Sequence, residues 1–306
     1  MRRLGRSFWF ASLLIASFPL ACAVDEEQSH PDAAPPFYVV PAGGFLDRSP
    51  TVDGDGDVLA WVRRRYDIWG AYRILRMEGR GEPETLLAHR GPITSIDLST
   101  DGGRLLGLIE GDTARVILWR EAGDAGAILL DVPPEYLTIS TPRWADTTSF
   151  LFGANGPDGH GIYRWDLSTG NIAPLCARFS AHGGLWLGSS PGLDSSGRMV
   201  CMERMSISST SGIESIVCLL GSETPALVLA GQSPSFWRFL PGEDDGLLYI
   251  DSVLMLHALR PGTGEEWILL PWVVDYDISA DGRWLFADSA LDLGRALILF
   301  DLRSLR

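Results

Sequence analysis

A unit of 42 to 49 residues recurs along nearly the whole chain. It reads Ser49-Pro50-Thr51-Val52-Asp53-Gly54-Asp55-Gly56, then Ser95-Ile96-Asp97-Leu98-Ser99-Thr100-Asp101-Gly102. It returns at Thr141-Pro142-Arg143-Trp144, Ser190-Pro191-Gly192-Leu193, Ser233-Pro234-Ser235-Phe236 and Asp275-Tyr276-Asp277-Ile278. A fixed period of this length, filled with short strands, is the signature of a solenoid or a propeller.

The columns of the repeat have physical readings. Three residues after each marker stands an apolar side chain: Val52, Leu98, Trp144, Leu193, Phe236, Ile278. Seven after it, in most units, stands a turn glycine: Gly56, Gly102, Gly197, Gly282. The marker segment is predicted to be a first strand, strand a, closed by an Asp-Gly turn. Strand b follows, as in Val58-Leu59-Ala60-Trp61-Val62, and a looser loop leads to strand c, as in Val116-Ile117-Leu118-Trp119. A fourth segment, such as Ala127-Ile128-Leu129-Leu130 or Trp267-Ile268-Leu269-Leu270, closes the unit. Four antiparallel strands per unit make a propeller blade.

The termini extend this reading. The sixth unit reaches Arg306 after its third strand, and Phe37-Tyr38-Val39-Val40 precedes the first marker. The expectation is an all-β, six-bladed propeller over residues 36–306. In it, the N-terminal strand completes the last blade and closes the ring. The competing architecture, an open array of hairpins, would need capping repeats.

Thr141-Pro142-Arg143-Trp144, Asn155-Gly156-Pro157-Asp158-Gly159 and Ile162-Tyr163-Arg164-Trp165-Asp166-Leu167 resemble the WD40-like (PD40) repeat of the TolB family. Ser279-Ala280-Asp281-Gly282-Arg283-Trp284 and Leu299-Phe300-Asp301-Leu302 carry similar elements. The resemblance implies a propeller over roughly residues 36–306. Its motifs are turn and packing motifs, which speak to fold rather than function. About a dozen residues separate the leader from the first strand, so the additional N-terminal α/β domain of TolB is not expected.

Arg2, Arg3 and Arg6 precede an apolar run from Phe8 to Leu20. That run is too short to span a bilayer comfortably, and residues 1–23 are expected to be a signal peptide. Two cleavage readings stand. Ala21-Cys22-Ala23 fits release after Ala23, and Leu20-Ala21-Cys22 resembles a lipoprotein site that would leave Cys22 lipidated. An acidic, Pro-rich tether follows over residues 24–35. Both readings place the folded part outside the cytoplasm, in the bacterial periplasm or at the outer surface. A lipid on Cys22 would be its contact with the membrane.

The formal net charge is −14, and loss of the leader arginines makes it three charges more negative. So acidic a chain is not expected to bind nucleic acid, which needs a basic face. Cys201 and Cys218 fall on neighbouring strands of the fourth unit, where a disulfide and a pair of buried thiols are both open. Cys176 has no evident partner.

Propeller geometry puts the a–b turns on one face. The b–c loops and inter-blade links share the other, around the mouth of the central channel. On that second face Arg63, Arg64, Arg65 and Tyr66 are read as a b–c loop suited to an anionic ligand or acidic partner. His89, Arg90, His182 and Trp186, on links between blades, are read as a contact patch. Asp53, Asp55 and Asp57 open like a calcium loop, but Val58 and Arg64 occupy the required Gly and Glu positions. Calcium held in the channel by side chains from several blades stays open, and no other cofactor is expected. Gly188-Ser189-Ser190-Pro191-Gly192 matches a nucleophile elbow, but that motif requires a strand-turn-helix, and Ser190 is a repeat marker. The expected function is a monomeric, non-catalytic scaffold for an envelope protein or small ligand. The alternative is a metal-dependent propeller hydrolase, lactonase- or esterase-like, with its site in the channel.

Overall fold

The computed structural model describes residues 35–39, 45–65, 71–111, 114–121, 126–137, 139–176, 191–193, 199–200, 214–218, 226–230, 235–241, 246–260, 262–291 and 294–304. A short outer strand, β1 (Phe37–Val39), comes first. The first repeat unit gives β2 (Phe45–Val52), β3 (Val58–Arg65), β4 (Tyr72–Glu78) and β5 (Glu84–His89). The second gives β6 (Ile93–Leu98), β7 (Arg104–Ile109), β8 (Arg115–Arg120) and β9 (Gly126–Asp131). The third gives β10 (Arg143–Trp144), β11 (Ser149–Gly156), β12 (Gly159–Asp166) and β13 (Ile172–Cys176). The fourth gives β14 (Gly192–Leu193), β15 (Met199–Val200), β16 (Glu214–Cys218) and β17 (Ala226–Ala230). The fifth gives β18 (Ser235–Phe239), β19 (Leu247–Ile250), β20 (Leu256–Arg260) and β21 (Glu265–Leu270). The last gives β22 (Val273–Ile278), β23 (Trp284–Leu291) and β24 (Gly294–Asp301).

These strands form four-stranded antiparallel sheets, five of them taken in chain order from one unit each. The sheet of the last unit has the order β1-β24-β23-β22. The tight turns form as their residue types dictate. Gly56, Gly102 and Gly282 take φ of 85°, 68° and 72°, a region open to glycine. In two turns the same device repeats. The Ser99 and Ser279 hydroxyls donate to Asp101 and Asp281, and accept from the Arg104 and Trp284 N–H groups at 3.0 and 2.8 Å.

Cores lie between neighbouring sheets. Trp61, Leu59, Phe286 and Leu297 pack units one and six together, and Ile74, Ile96, Leu105 and Trp119 pack units one and two. Phe150, Phe152, Tyr163 and Leu118 join units two and three, while Leu248, Tyr276 and Leu285 join five and six. Each such fully buried side chain stabilises by roughly 1.5–3 kcal/mol.

The expectation of six like blades closed by the N-terminal strand is corrected in two respects. First, five of the sheets carry the described cores. Of the fourth unit only β14–β17 and one flanking residue are described, and the described cores run through units one, two, three, five and six. Second, β1 does not close the ring. It pairs with β24 at the outer edge, with Phe37 opposite Leu299 and Val39 opposite Leu297. The seam is made at the inside, where β2 packs along β22, β23 and β24. A turn reinforces it: Asp281 N donates to Gly54 O at 3.1 Å, and Gly54 N in turn donates to Thr100 O of the second unit at 2.8 Å. A three-residue outer strand adds edge hydrogen bonds, whereas joining two blades requires contact along their inner strands.

Candidate functional site: the central channel and its mouth

The first strand of each unit faces the centre of the ring. A cavity of about 30 Å³ there is lined by Ser49, Pro50, Thr94, Ser95, Ile96, Thr141, Arg143 and Asp275, from units one, two, three and six. The decisive side chains stand two residues after the repeat markers of units one, two, three and six: Thr51, Asp97, Arg143 and Asp277. Each oxygen in this column caps an N–H of the following blade. The Asp97 carboxylate accepts from Trp144 N at 2.7 Å, Thr51 Oγ1 from Leu98 N at 2.9 Å, and Asp277 from Val52 N at 3.2 Å. Thr51 Oγ1 also donates to Asp277 Oδ2 at 2.8 Å, which joins the last unit to the first.

Two arginines complete the cluster. Arg143 Nη1 donates to Asp97 Oδ1 at 2.5 Å and lies 3.7 Å from Asp277 Oδ1. Arg238 Nε donates to the same Asp277 oxygen at 3.2 Å, and its Nη1 donates to Trp237 O at 2.9 Å. Arg143 carries donors only and cannot cap the next blade as Thr51 and Asp97 do. The chain of caps thus stops at the third unit.

Burial dominates the electrostatics. It pushes Asp97 up to about 6, with Arg143 pulling down and Asp277 pushing up. Asp277 is raised by the same burial. Asp275, at the cavity wall, is pushed up to about 7 by burial, against Arg143 and with Asp288. Its carboxylate accepts from Tyr276 N at 2.9 Å. Burial would lower Arg143, but Asp97 and Asp277 more than offset it and hold the guanidinium charged.

At the channel mouth the expected Arg-rich loop is corrected: Arg63, Arg64 and Arg65 are the end of β3, still paired to β2. Paired strands alternate their side chains, so the three arginines do not point together. Arg63 makes two bonds to buried Asp47, at 2.7 and 2.6 Å, and lies over the Phe45 ring. Arg64 falls in one row across the sheet with Leu46, Tyr72 and His89. His89 Nδ1 accepts from Gly91 N at 2.8 Å, a local turn contact, and Arg90 is exposed. Next to this row Arg48 donates to Ile93 O at 2.9 Å and lies over Tyr72, and Arg295 makes two bonds to Asp288 at 2.7 and 2.6 Å.

Tyr66, His182, Trp186, Ser190, Cys22 and Cys201 lie outside the described residues. The strand register places Met199 opposite Cys218. Gly192, the last residue of the apparent nucleophile elbow, begins a strand. Among the described residues no group of three or more His, Cys, Asp or Glu is arranged to hold a metal ion. Among them, too, no helix is long and apolar enough to cross a membrane. The channel column was the signal to follow in the sequence: at a fixed place in the repeat, polar and charged residues stand where a plain strand core would be apolar.

No known family profile matches the chain. No curated protein matches it. Solved structures do. TolB from Acinetobacter baumannii superposes with a TM-score of 0.53 at 15% identity, over 84% of this chain and 54% of that one. An oligogalacturonate lyase in complex with manganese gives 0.53 at 11% identity, over 86% and 78%. The C-terminal WD40 domain of Sif2 gives 0.52 at 13%, over 86% and 83%. The chain thus spans about half the length of the TolB chain. At such identities the likeness is one of fold, and the fold it shares with these proteins is the β-propeller.

Proposed function

We propose that this chain is a non-catalytic, extracytoplasmic propeller that binds an envelope protein or small ligand on its second face. One observation carries the reading. Among the described residues the charged groups of the channel are engaged with one another across blades, around a cavity of about 30 Å³. That is about the space of one water molecule. A channel built this way joins blades and leaves recognition to the surface around its mouth. The leader arginines and apolar run support export, and Cys22 would supply a lipid anchor to a monomeric propeller.

Crosslinking of the tagged full-length protein in its envelope, followed by pull-down, tests this. The comparison is an Arg64→Ala/Arg65→Ala variant, because Arg63→Ala would strand the buried Asp47 carboxylate. The expected result is one dominant partner, held more weakly by the variant. Absence of a partner in both would overturn the scaffold.

A second reading, a propeller hydrolase, draws on Asp275. Its carboxyl titrates near neutrality and shares the cavity with Ser95, whose buried hydroxyl lacks a protein partner. Metal-stimulated turnover of lactones or esters that is lost in Asp275→Asn would establish it.

A further inference from the structure

A sheet edge offers unpaired N–H and C=O groups to any extended chain, and bulges, prolines and charges blunt it. Most outer strands of this propeller are blunted in these ways. β5, β13, β17 and β21 each meet their inner neighbour through a shifted register. β13 adds Pro174, and β21 opens on Glu265 and Glu266. β1 is only three residues long. β9 carries none of these devices. Its register with β8 runs unbroken, from Arg115 opposite Asp131 to Arg120 opposite Gly126. Gly126 to Leu130 hold no charge and no proline, and Ile128 is 55% exposed and Leu129 39%.

The ladder fixes which backbone groups of β9 are on offer. Val132 N donates to Ala114 O at 3.4 Å, directly opposite in the same register. Antiparallel pairs alternate, so Gly126, Ile128 and Leu130 bond β8, while Ala127, Leu129 and Asp131 turn their N–H and C=O groups outward. β9 ends its sheet, and among the described residues no strand covers that edge.

The strand leads straight into a groove. Past Asp131 the chain forms one wall of a cavity of about 800 Å³, with Val132, Pro133, Tyr136 and Leu137 on that side and Glu110 and Arg115 on the other. The wall is preformed. Phe152 and Tyr163 hold the Tyr136 ring edge-on at 5.9 and 5.1 Å, and Leu137 exchanges two backbone bonds of 2.8 Å with Asn155. The local charge is negative. Arg115 is matched by Asp131 at 3.0 Å. Glu110 has no ion-pair partner among the described residues. Burial, then Glu135 and Asp158, push the Tyr136 phenol up, so both acids act on the groove. Arg90 is the second cation of the neighbourhood, two residues before Pro92, whose carbonyl accepts from Glu110 N. Four acids thus stand against two arginines.

We propose that β9 and this groove together receive an extended, basic peptide segment of a partner protein, which adds to the sheet as a further strand and sets a Lys or Arg among the acids. This deepens the scaffold reading and rests on it. Two separate features select a peptide. An open row of backbone groups is satisfied by another backbone, and a groove at the end of the row supplies the side-chain selectivity that strand addition needs. A second copy of this chain is the poorer occupant, since each copy brings a net charge of −14.

The test uses the full chain and the fluorescein-labelled peptide Lys-Thr-Val-Thr-Val-Thr-Val-Lys, basic at each end so that either direction of pairing brings a cation to the groove. Leu129→Pro removes one outward N–H and spares the β8 ladder, and proline is accepted on an edge strand. Glu110→Lys reverses an exposed charge. In fluorescence anisotropy the peptide is expected to bind wild type, about fivefold more weakly to Leu129→Pro, and several-fold more weakly to Glu110→Lys and at about 0.5 M rather than about 0.05 M salt. The same peptide with every Val and Thr amide methylated should not bind; it leaves the protein unchanged and carries the test if the proline variant unfolds. No binding to wild type, undiminished binding to either folded variant, or equal binding of the methylated peptide or of a Glu-for-Lys peptide would overturn the proposal. So would a concentration-dependent dimer of the free chain that Leu129→Pro abolishes, because a second copy would then be the occupant. Pull-down with Leu129→Pro/Glu110→Lys separates the two readings. A partner held equally by wild type and variant removes this site and leaves the scaffold, and no partner in either removes both.

Discussion

Replacing Asp277 by Ala tests the idea that the channel column holds the ring together. The carboxylate accepts from Thr51 Oγ1, Val52 N and Arg238 Nε, and lies near Arg143. Its removal leaves a buried N–H without a partner, at about 1–3 kcal/mol. It also deprives a buried guanidinium of its counter-charge, for which partner removal costs about 3–5 kcal/mol. Arg143 keeps Asp97, and Arg238 keeps the Trp237 carbonyl, so the two costs overlap. The expected loss is about 4 kcal/mol for Asp277→Ala and about 2 for Asp277→Asn, whose amide oxygen still accepts from Val52 N. Urea unfolding followed by tryptophan fluorescence measures it, with Asp131→Ala as an exposed control. Thr51→Val combined with Asp277→Ala should be clearly non-additive, because the two side chains share a bond. A loss under about 1 kcal/mol for Asp277→Ala, or strict additivity with Thr51→Val, would refute the latch.

Three further outcomes are expected. Asp275 has its carboxyl raised from 3.8 to about 7, so it holds its proton more tightly folded than unfolded. Its contribution is therefore fully present below about pH 4 and is lost as pH rises toward 7. Asp275→Asn should flatten that fall in pH-dependent unfolding and be more stable than wild type at pH 8. Gly282→Ala places a Cβ 2.6 Å from Pro241 O at φ 72°, and should lower stability by about 1–3 kcal/mol in the same urea assay. Arg63→Ala strands Asp47, whose side chain is 1% exposed, and should cost about 3 kcal/mol in the same assay.

Much of the architecture was legible in the residues. Among the described residues, the marker turns, the apolar column three residues on, and the fourth-strand segments fall on strands and turns of the structure. Local chemistry suffices there, since Asp-Gly turns and alternating apolar residues act over a few residues. The Arg63–Arg65 run was read as a loop, but β3 continues through it because Leu46 and Phe45 offer a partner strand. The positive φ of Trp272 and Leu254 left no trace, because neither residue type favours it and the constraint comes from Asp251, Ser289 and Ala290.

By itself, the order of residues determined an all-β repeat of four-stranded units and placed polar side chains at a fixed point in most of them. Tertiary structure alone decided what those side chains meet. Thr51 and Asp277 lie 226 positions apart and bond because the ring brings the first and last units side by side. A periodic sequence specifies each blade through neighbours a few residues away, but which charge faces which across the channel depends on how the blades are arranged around it.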